Sequence, residues 1–393
     1  MRAASLNIRH SIFAIAVLIA GCMPQVDDHH DDGDDHGFVP VEITTIAGTG
    51  VAGFDGDGGP ASAARLNSPI DVIEGPSSEI IITDFENHRV RAIDPDASVI
   101  TTLAGTGMAA GDASLNHPAG VAVAADGVLY VAAWGEHRVY RYPPAGGREV
   151  IAGSGVSGCA PGSPSDPAAL STISFPRSLG LLGDDTLIFA EQGCHRIRQV
   201  TTRDTLGPFA GTGEAGYSGD DELAINATFN AAGTLVLPAF GMALSPEDPP
   251  DELYIADTEN HVIREINLFT RRIETFAGTG VAGFADGPPQ QATFNRPTHV
   301  FASGDHAVWV VDSGNHAIRR IDPLGTSVQT VAGTGSPGYN GDHIPAAQAQ
   351  LNNPGCVIVT KGGDVLIADT GNHRVRRIAS DSNRRGIDAR AAN

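Results

Sequence analysis

Six times along this chain a short turn, a histidine and an arginine-bearing apolar run return in the same order, five times behind an acid. The copies read IITDFENHRVRAID (81–94), YVAAWGEHRVYRYP (130–143), IFAEQGCHRIRQVT (188–201), YIADTENHVIREIN (254–267), WVVDSGNHAIRRID (309–322) and LIADTGNHRVRRIA (366–379). Their histidines, His88, His137, His195, His261, His316 and His373, lie a mean of 57 residues apart. A second element also occurs six times: IAGTG at 46, LAGTG at 103, IAGSG at 151, FAGTG at 209, FAGTG at 276 and VAGTG at 331. Self-similarity at this period leaves a propeller or a solenoid.

The content of one period separates the two. Between residues 298 and 335, THVFAS, AVWVVD, HAIRRID and SVQTVAG are four short apolar or β-branched runs with turn residues between them. Four strands per period make one propeller blade. The 48 Gly and 25 Pro of the chain suit many strands and turns rather than helices. The last period supplies three strands, GCVIVT, VLIAD and HRVRRI, with no AGTG strand after them. The first AGTG strand, Glu42–Ala47, precedes any complete blade. The expected fold is therefore all-β: a six-bladed β-propeller of four-stranded blades, closed by Glu42–Ala47 pairing onto the last blade, which removes an exposed edge.

The motif Asp-x-x-Asn-His-Arg-Val-x-x-Ile resembles the NHL repeat. The connector AGTGVAGFDGDGGPASAARLNSP (47–69) is similar to those of exported bacterial NHL proteins and of the teneurin NHL domain. The resemblance covers residues 41–380 and implies a six-bladed propeller. Members of that family range from protein- and RNA-binding scaffolds to the lyase of peptide amidation, so the fold does not supply the function.

The six copies can be compared with one another. Four residues before the histidines stand Asp84, Ala133, Glu191, Asp257, Asp312 and Asp369. Three residues after them stand Arg91, Tyr140, Arg198, Arg264, Arg319 and Arg376. The one copy that lacks the acid also lacks the arginine. The expectation is that these acids and arginines pair, across the hairpin or between blades, because a guanidinium fork satisfies a partly buried carboxylate. The residue before each histidine fits a turn, with the histidine opening the next strand. Six histidines in six blades are expected to be structural.

Chemistry is sought elsewhere. The AGTG connectors and the histidine turns emerge on one face, expected to be the functional one. Asp55 and Asp57 in GFDGD are calcium candidates, although their spacing does not follow a full calcium loop, and turn-forming aspartate is the alternative. Two residues past the proline that opens each innermost strand stand Asp71, Gly120, Ser178, Phe240, His299 and Cys356, with an insertion in blade four. Asp71, His299 and Cys356 fall in consecutive blades of a closed ring and are metal-ligand types at the expected channel mouth. Arg177 is a candidate anion contact there. The alternative is a mixed polar rim with Cys356 packed as a small hydrophobe. Cys159 and Cys194 fall in the same blade on the same face and are expected to form a disulfide, given export.

Export is read from the N-terminus. Arg2 and Arg9 precede the apolar run Ser11–Ala20, too short to span a bilayer, and Leu18-Ile19-Ala20-Gly21-Cys22 resembles a lipobox. That resemblance implies cleavage before Cys22 and a covalent lipid on it. Six Asp and three His (His29, His30 and His36) between residues 27 and 36 read as a solvated tether, with weak metal binding as a secondary reading. The expected organisation is a signal peptide at 1–21, a tether at 22–40, the propeller at 41–380 and a polar tail at 381–393. A net charge of -21 opposes nucleic acid and a membrane held by charge. No nucleophile elbow, HExxH or phosphate loop is present. The expected function is that of a lipid-anchored, monomeric cell-envelope binding or scaffold protein, periplasmic or surface-exposed. Its connector face would engage a protein, peptide or glycan. The alternative is a metal-dependent lyase or lactonase-like hydrolase at the channel mouth.

Overall fold

The computed structural model describes residues 41–380, apart from 112, 162–165, 184–185 and 232–238. The expected signal peptide, Cys22, the expected Asp/His-rich tether and the expected polar tail lie outside the described residues.

Six antiparallel sheets form six blades. Blade one is built of Pro69–Glu74, Ile80–Asp84, Arg89–Ile93 and Val99–Ala104, from the innermost strand outward. Blade two contains Pro118–Val123, Leu129–Ala133, Arg138–Tyr142 and Glu149–Ala152, and blade three Pro176–Leu181, Leu187–Glu191, Arg196–Val200 and Leu206–Ala210. Blade four holds Met242–Leu244, Glu252–Asp257, Val262–Asn267 and Arg272–Ala277, and blade five Pro297–Ala302, Val308–Asp312, Ala317–Ile321 and Val328–Ala332. Blade six takes Cys356–Val359, Val365–Asp369 and Arg374–Ile378 from the end of the chain and Glu42–Ala47 from its beginning. Thr44 stands opposite Arg377 and Thr45 opposite Arg376 in that joining ladder. Short connector strands at Gly59–Pro60, Glu222–Leu223 and Ile344–Pro345 cover the outer edges of blades one, four and six, which blunts edge pairing. Apolar side chains fill the spaces between blades: Ile82, Val72 and Ile100 of blade one meet Ile358 and Leu366 of blade six in one cluster.

The repeated histidines hold neighbouring blades together. Each sits in the left-handed region, with φ between 48 and 56°, at the end of a one-turn helix. The strand starts one residue later, so the histidine terminates the turn rather than opening the strand, and it, not the preceding Asn, adopts the left-handed conformation. That geometry aims the imidazole at the next blade, where Nδ1 accepts a backbone N–H. His88 accepts from His117 (3.2 Å), His137 from Phe175 (3.3 Å) and His195 from Ala231 (3.0 Å). His261 accepts from Arg296 (3.0 Å), His316 from Asn353 (3.0 Å) and His373 from Ser68 (3.0 Å). The last of these joins blade six to blade one. Burial holds all six imidazoles below the ordinary histidine range. They are therefore neutral at pH 7, as an accepting Nδ1 requires.

The acids and arginines form units within each blade. Arg319 is fully buried; it reaches Asp312 across its own hairpin at 2.8 Å and Asp286 of the incoming connector at 2.7 Å. Arg91, Arg264 and Arg376 repeat this with Asp84 and Asp57, Asp257 and Asp220, and Asp369 and Asp342. The motif Asn binds the same hairpin carboxylate and a connector carbonyl; Asn315 donates to Asp312 (2.8 Å) and to Gly283 O (2.7 Å). Burial pushes the carboxyls of Asp84, Asp257, Asp312 and Asp369 up to about 6, against these bonds.

Two blades substitute different chemistry. In blade three, Glu191 pairs with Arg196 at 2.6 Å and with Arg198 at 3.7 Å. Cys194 occupies the Asn position there, and its disulfide to Cys159 of the connector (Cα–Cα 5.5 Å) makes covalently the link that Asn makes elsewhere. Blade two has Ala133 in place of the acid, but Glu136, at the Asn position, accepts the connector N–H of Asn116 at 2.7 Å and the hydroxyl of Tyr140. Tyr140→Phe is expected to cost about 1 kcal/mol in a denaturant titration, the usual worth of one such bond.

Candidate functional site: a blind central cavity

The starts of the innermost strands are buried and their later residues are partly open to solvent. This gradient sets the shape of the channel. At the connector face, Ile70, Phe85, Ala119 and Trp134 pack together, with Phe175 against them. Thr370 Oγ1 donates to Pro69 O (2.6 Å), and Trp134 Nε1 donates to Gln192 Oε1 (3.3 Å). Arg177, also buried, donates to Ala119 O at 2.9 Å and across the ring to Gly355 O at 3.3 Å. Among the described residues, these side chains fill the channel where its mouth was expected. It opens on the opposite face as a cavity of about 590 Å³. Its walls are apolar, Ile73, Val121, Leu181 and Phe301 among them; Asp71, Ser178 and His299 line it from the buried strand starts, and Glu74 at a strand end and Lys361 in the turn beyond one line it from the other side.

Asp71, His299 and Cys356 do converge: one ligand-type atom from each lies within 4.8 Å of the others. His299 Nε2 is 3.8 Å from Cys356 Sγ, and the thiol donates to Val72 O at 3.5 Å. Asp71 accepts the N–H groups of Val72 and Val121, both at 3.0 Å. The Nδ1 of His299 and the Nε of Arg177 are buried with no hydrogen-bond partner. Burial, and then the Arg177 guanidinium, hold His299 down to about 3, so its imidazole is neutral. Burial pushes the Cys356 thiol well up and raises the Asp71 carboxyl, while Arg177 opposes both. The cluster is one carboxyl facing one guanidinium, beside a neutral imidazole and a thiol.

The fourth-blade member of this ring is Gly241, not Phe240. Ala256 donates to Gly241 O at 2.9 Å, and Met242 stands opposite Ile255, which places Gly241 level with His299 opposite Val311 and Cys356 opposite Ala368. A Cβ on Gly241 would come within 2.7 Å of His299 Cα, so a side chain there would displace the histidine strand. The insertion in blade four hid this register.

The calcium candidates have other partners. Asp55 accepts from Arg65 N and pairs with its Nε at 2.6 Å. Asp57 takes Arg91 at 2.6 Å and the Thr102 hydroxyl at 2.6 Å. Neither belongs to a compact His/Cys/Asp/Glu group among the described residues. The connector face also carries exposed apolar tips, Val51, Met108, Val156 and Val281.

Residues 351–378 match the NHL repeat family, and the histidine turn of that segment recurs in every blade. The chain is a six-bladed propeller that carries an NHL repeat. NHL repeat-containing protein 2 is 26% identical over 330 residues in Gallus gallus, covering 80% of this chain and 39% of that one. In Homo sapiens it is 25% identical over 337 residues, covering 77% and 45%. SUPPRESSOR OF QUENCHING 1, chloroplastic, of Arabidopsis thaliana is 26% identical over 371 residues, covering 90% and 28%. The chain thus spans less than half the length of each of these relatives. Among solved structures, an auxiliary nutrient binding protein from Bacteroides ovatus ATCC 8483 is similar, with a TM-score of 0.63 and 16% identity over 86% of this chain and 76% of that one. A protein of unknown function from Bacteroides thetaiotaomicron VPI-5482 gives 0.64 and 18% over 86% and 75%. At these identities the likeness is one of fold.

Proposed function

We propose that this NHL propeller is a binding protein whose ligand enters the blind central cavity. The ligand class is a small, largely apolar molecule with one polar end. The observation that carries this reading is the cavity itself: apolar walls, closed at one end, with a few convergent polar groups, the usual form of a small-molecule site. Two similar propellers are described as auxiliary nutrient binding proteins, which accords with capture rather than turnover. The connector face offers its exposed tips to a protein, peptide or glycan, but its carboxylates are engaged by the arginines of their own blades. Anchoring through a lipid on Cys22 at the cell envelope completes the proposal, and mass analysis of the mature N-terminus tests it. An enzymatic reading rests on one observation, the approach of Asp71, His299 and Cys356 at the cavity's buried end.

The test of the cavity is a thermal-shift and native mass-spectrometry screen of small amphiphiles, comparing wild type with Ala122→Trp. Ala122 lines the cavity, is partly exposed and lies in none of the core clusters. A bound molecule that raises Tm in wild type and loses at least tenfold in affinity in the variant supports the proposal. Equal binding to both proteins overturns it.

A further inference from the structure

We infer that Asp71, His299 and Cys356 form a divalent-metal site of the zinc type at the closed end of the central cavity. The three residues start the innermost strands of blades one, five and six, which lie side by side, so rigid elements hold all three. Their ligand-type atoms fall within 4.8 Å of one another. A tetrahedral zinc ion, with bonds of about 2.0–2.3 Å, separates its ligand atoms by roughly 3.3–3.8 Å. The 3.8 Å between His299 Nε2 and Cys356 Sγ is already at that spacing, and an Asp71 carboxylate oxygen lies no more than 4.8 Å from the ligand atoms of the other two.

A second observation points the same way. His299 is buried and its Nε2, the atom that faces the cluster, meets only the thiol at 3.8 Å, a contact too long to satisfy it; the unpartnered Nδ1 lies on the other side of the ring and takes no part in the site. Nothing else in the folded chain offsets the desolvation of that imidazole, and an orphaned buried polar group calls for a partner.

The donor set decides which metal. One thiolate, one imidazole and one carboxylate select zinc over calcium or magnesium, which take oxygen ligands. As the sulfur–metal bond forms, the Cys356 thiol releases its proton to solvent. Three protein ligands leave a fourth position. Asp71 and His299 line the cavity, so that position faces it. The Asp71 carboxylate and the Cys356 thiolate balance a dication, and the Arg177 guanidinium adds one positive charge beside them. The fourth position therefore favours an anionic ligand such as hydroxide or a carboxylate. The inference takes only this open position from the cavity proposal. Metal capture is measured without any organic ligand, so either can fail alone.

The full chain is stripped with chelator and titrated with zinc and with cobalt(II). The expected result includes one cobalt equivalent with a near-ultraviolet sulfur–cobalt absorption band, displaced by zinc. Cys356→Ser and His299→Gln should lose the band and at least ~100-fold in zinc affinity, the upper range seen when groups supporting a metal site are removed. Cys22→Ser should keep both. The Asp/His-rich segment at 27–36 offers no sulfur, so it adds zinc uptake without the band. Absence of the band in wild type, or a band that survives Cys356→Ser and disappears in Cys22→Ser, overturns the inference. Should Cys356→Ser fail to fold, His299→Gln and Asp71→Asn decide the matter by the same readout.

Discussion

Replacing Arg319 with methionine is expected to lower unfolding free energy by about 3–5 kcal/mol, read as a shift of the denaturant midpoint at pH 7. The side chain has no exposed surface, and it reaches Asp312, which is equally buried, at 2.8 Å. Methionine keeps most of the packing volume but strands that carboxylate, which burial has already pushed up to about 6. Removing one partner of a buried pair leaves an uncompensated charge, whereas removing both can be nearly neutral. The double variant Asp312→Asn/Arg319→Met should therefore recover most of the loss. If the single variant is as stable as wild type, the pair does not hold the hairpin to its connector. If the double variant is worse than the single, burial of charge is not the cause.

His373→Asn is expected to cost about 1–3 kcal/mol at pH 7.5, because Ser68 N–H then loses its acceptor at the junction of the last and first blades. Asparagine tolerates the left-handed backbone that His373 adopts (φ 53°), so the loss reports the side chain. The same comparison at pH 5 should give a smaller difference. Burial, helped by Arg374, depresses the folded-state pKa of His373 below its ordinary 6.5. A depressed group contributes stability that is present above the unfolded pKa and is lost as pH falls through the folded one. Protonation puts a donor on Nδ1 facing the Ser68 N–H. The four hairpin aspartates act with the opposite sign: their pKa values near 6 lie above the unfolded 3.8, so they add stability as pH falls through 6. They are common to both proteins and cancel in the difference. A cost that does not change between pH 7.5 and pH 5 would show that the imidazole is not an acceptor.

The stretch around His373 shows how far the sequence reaches. Six copies in one chain identify four strands per blade, six blades and a shared final sheet, because a period that cannot bury its faces alone must stack on its neighbours. They also bring Asp369 and Arg376 into one blade. What the repeat could not convey is the direction of each side chain. His373 looks like a strand residue until its φ of 53° turns the imidazole onto the next blade. Glu136 looks like a broken copy until its longer side chain is seen accepting the N–H of Asn116 that an aspartate accepts elsewhere. Gly241 was hidden by an insertion that moved the register of blade four by one residue.

The candidate site divides the same way. Sequence alone determined the blade architecture and the identity of three ligand-type residues at the starts of consecutive innermost strands, since strand position follows from the repeat. Only the tertiary structure decided that these strand starts are sealed from the connector face by Phe85, Trp134 and Arg177, and that the cavity lies on the other side. The reason is steric: which end of a propeller channel closes depends on side chains from separate blades meeting on one axis, and no single period contains that meeting.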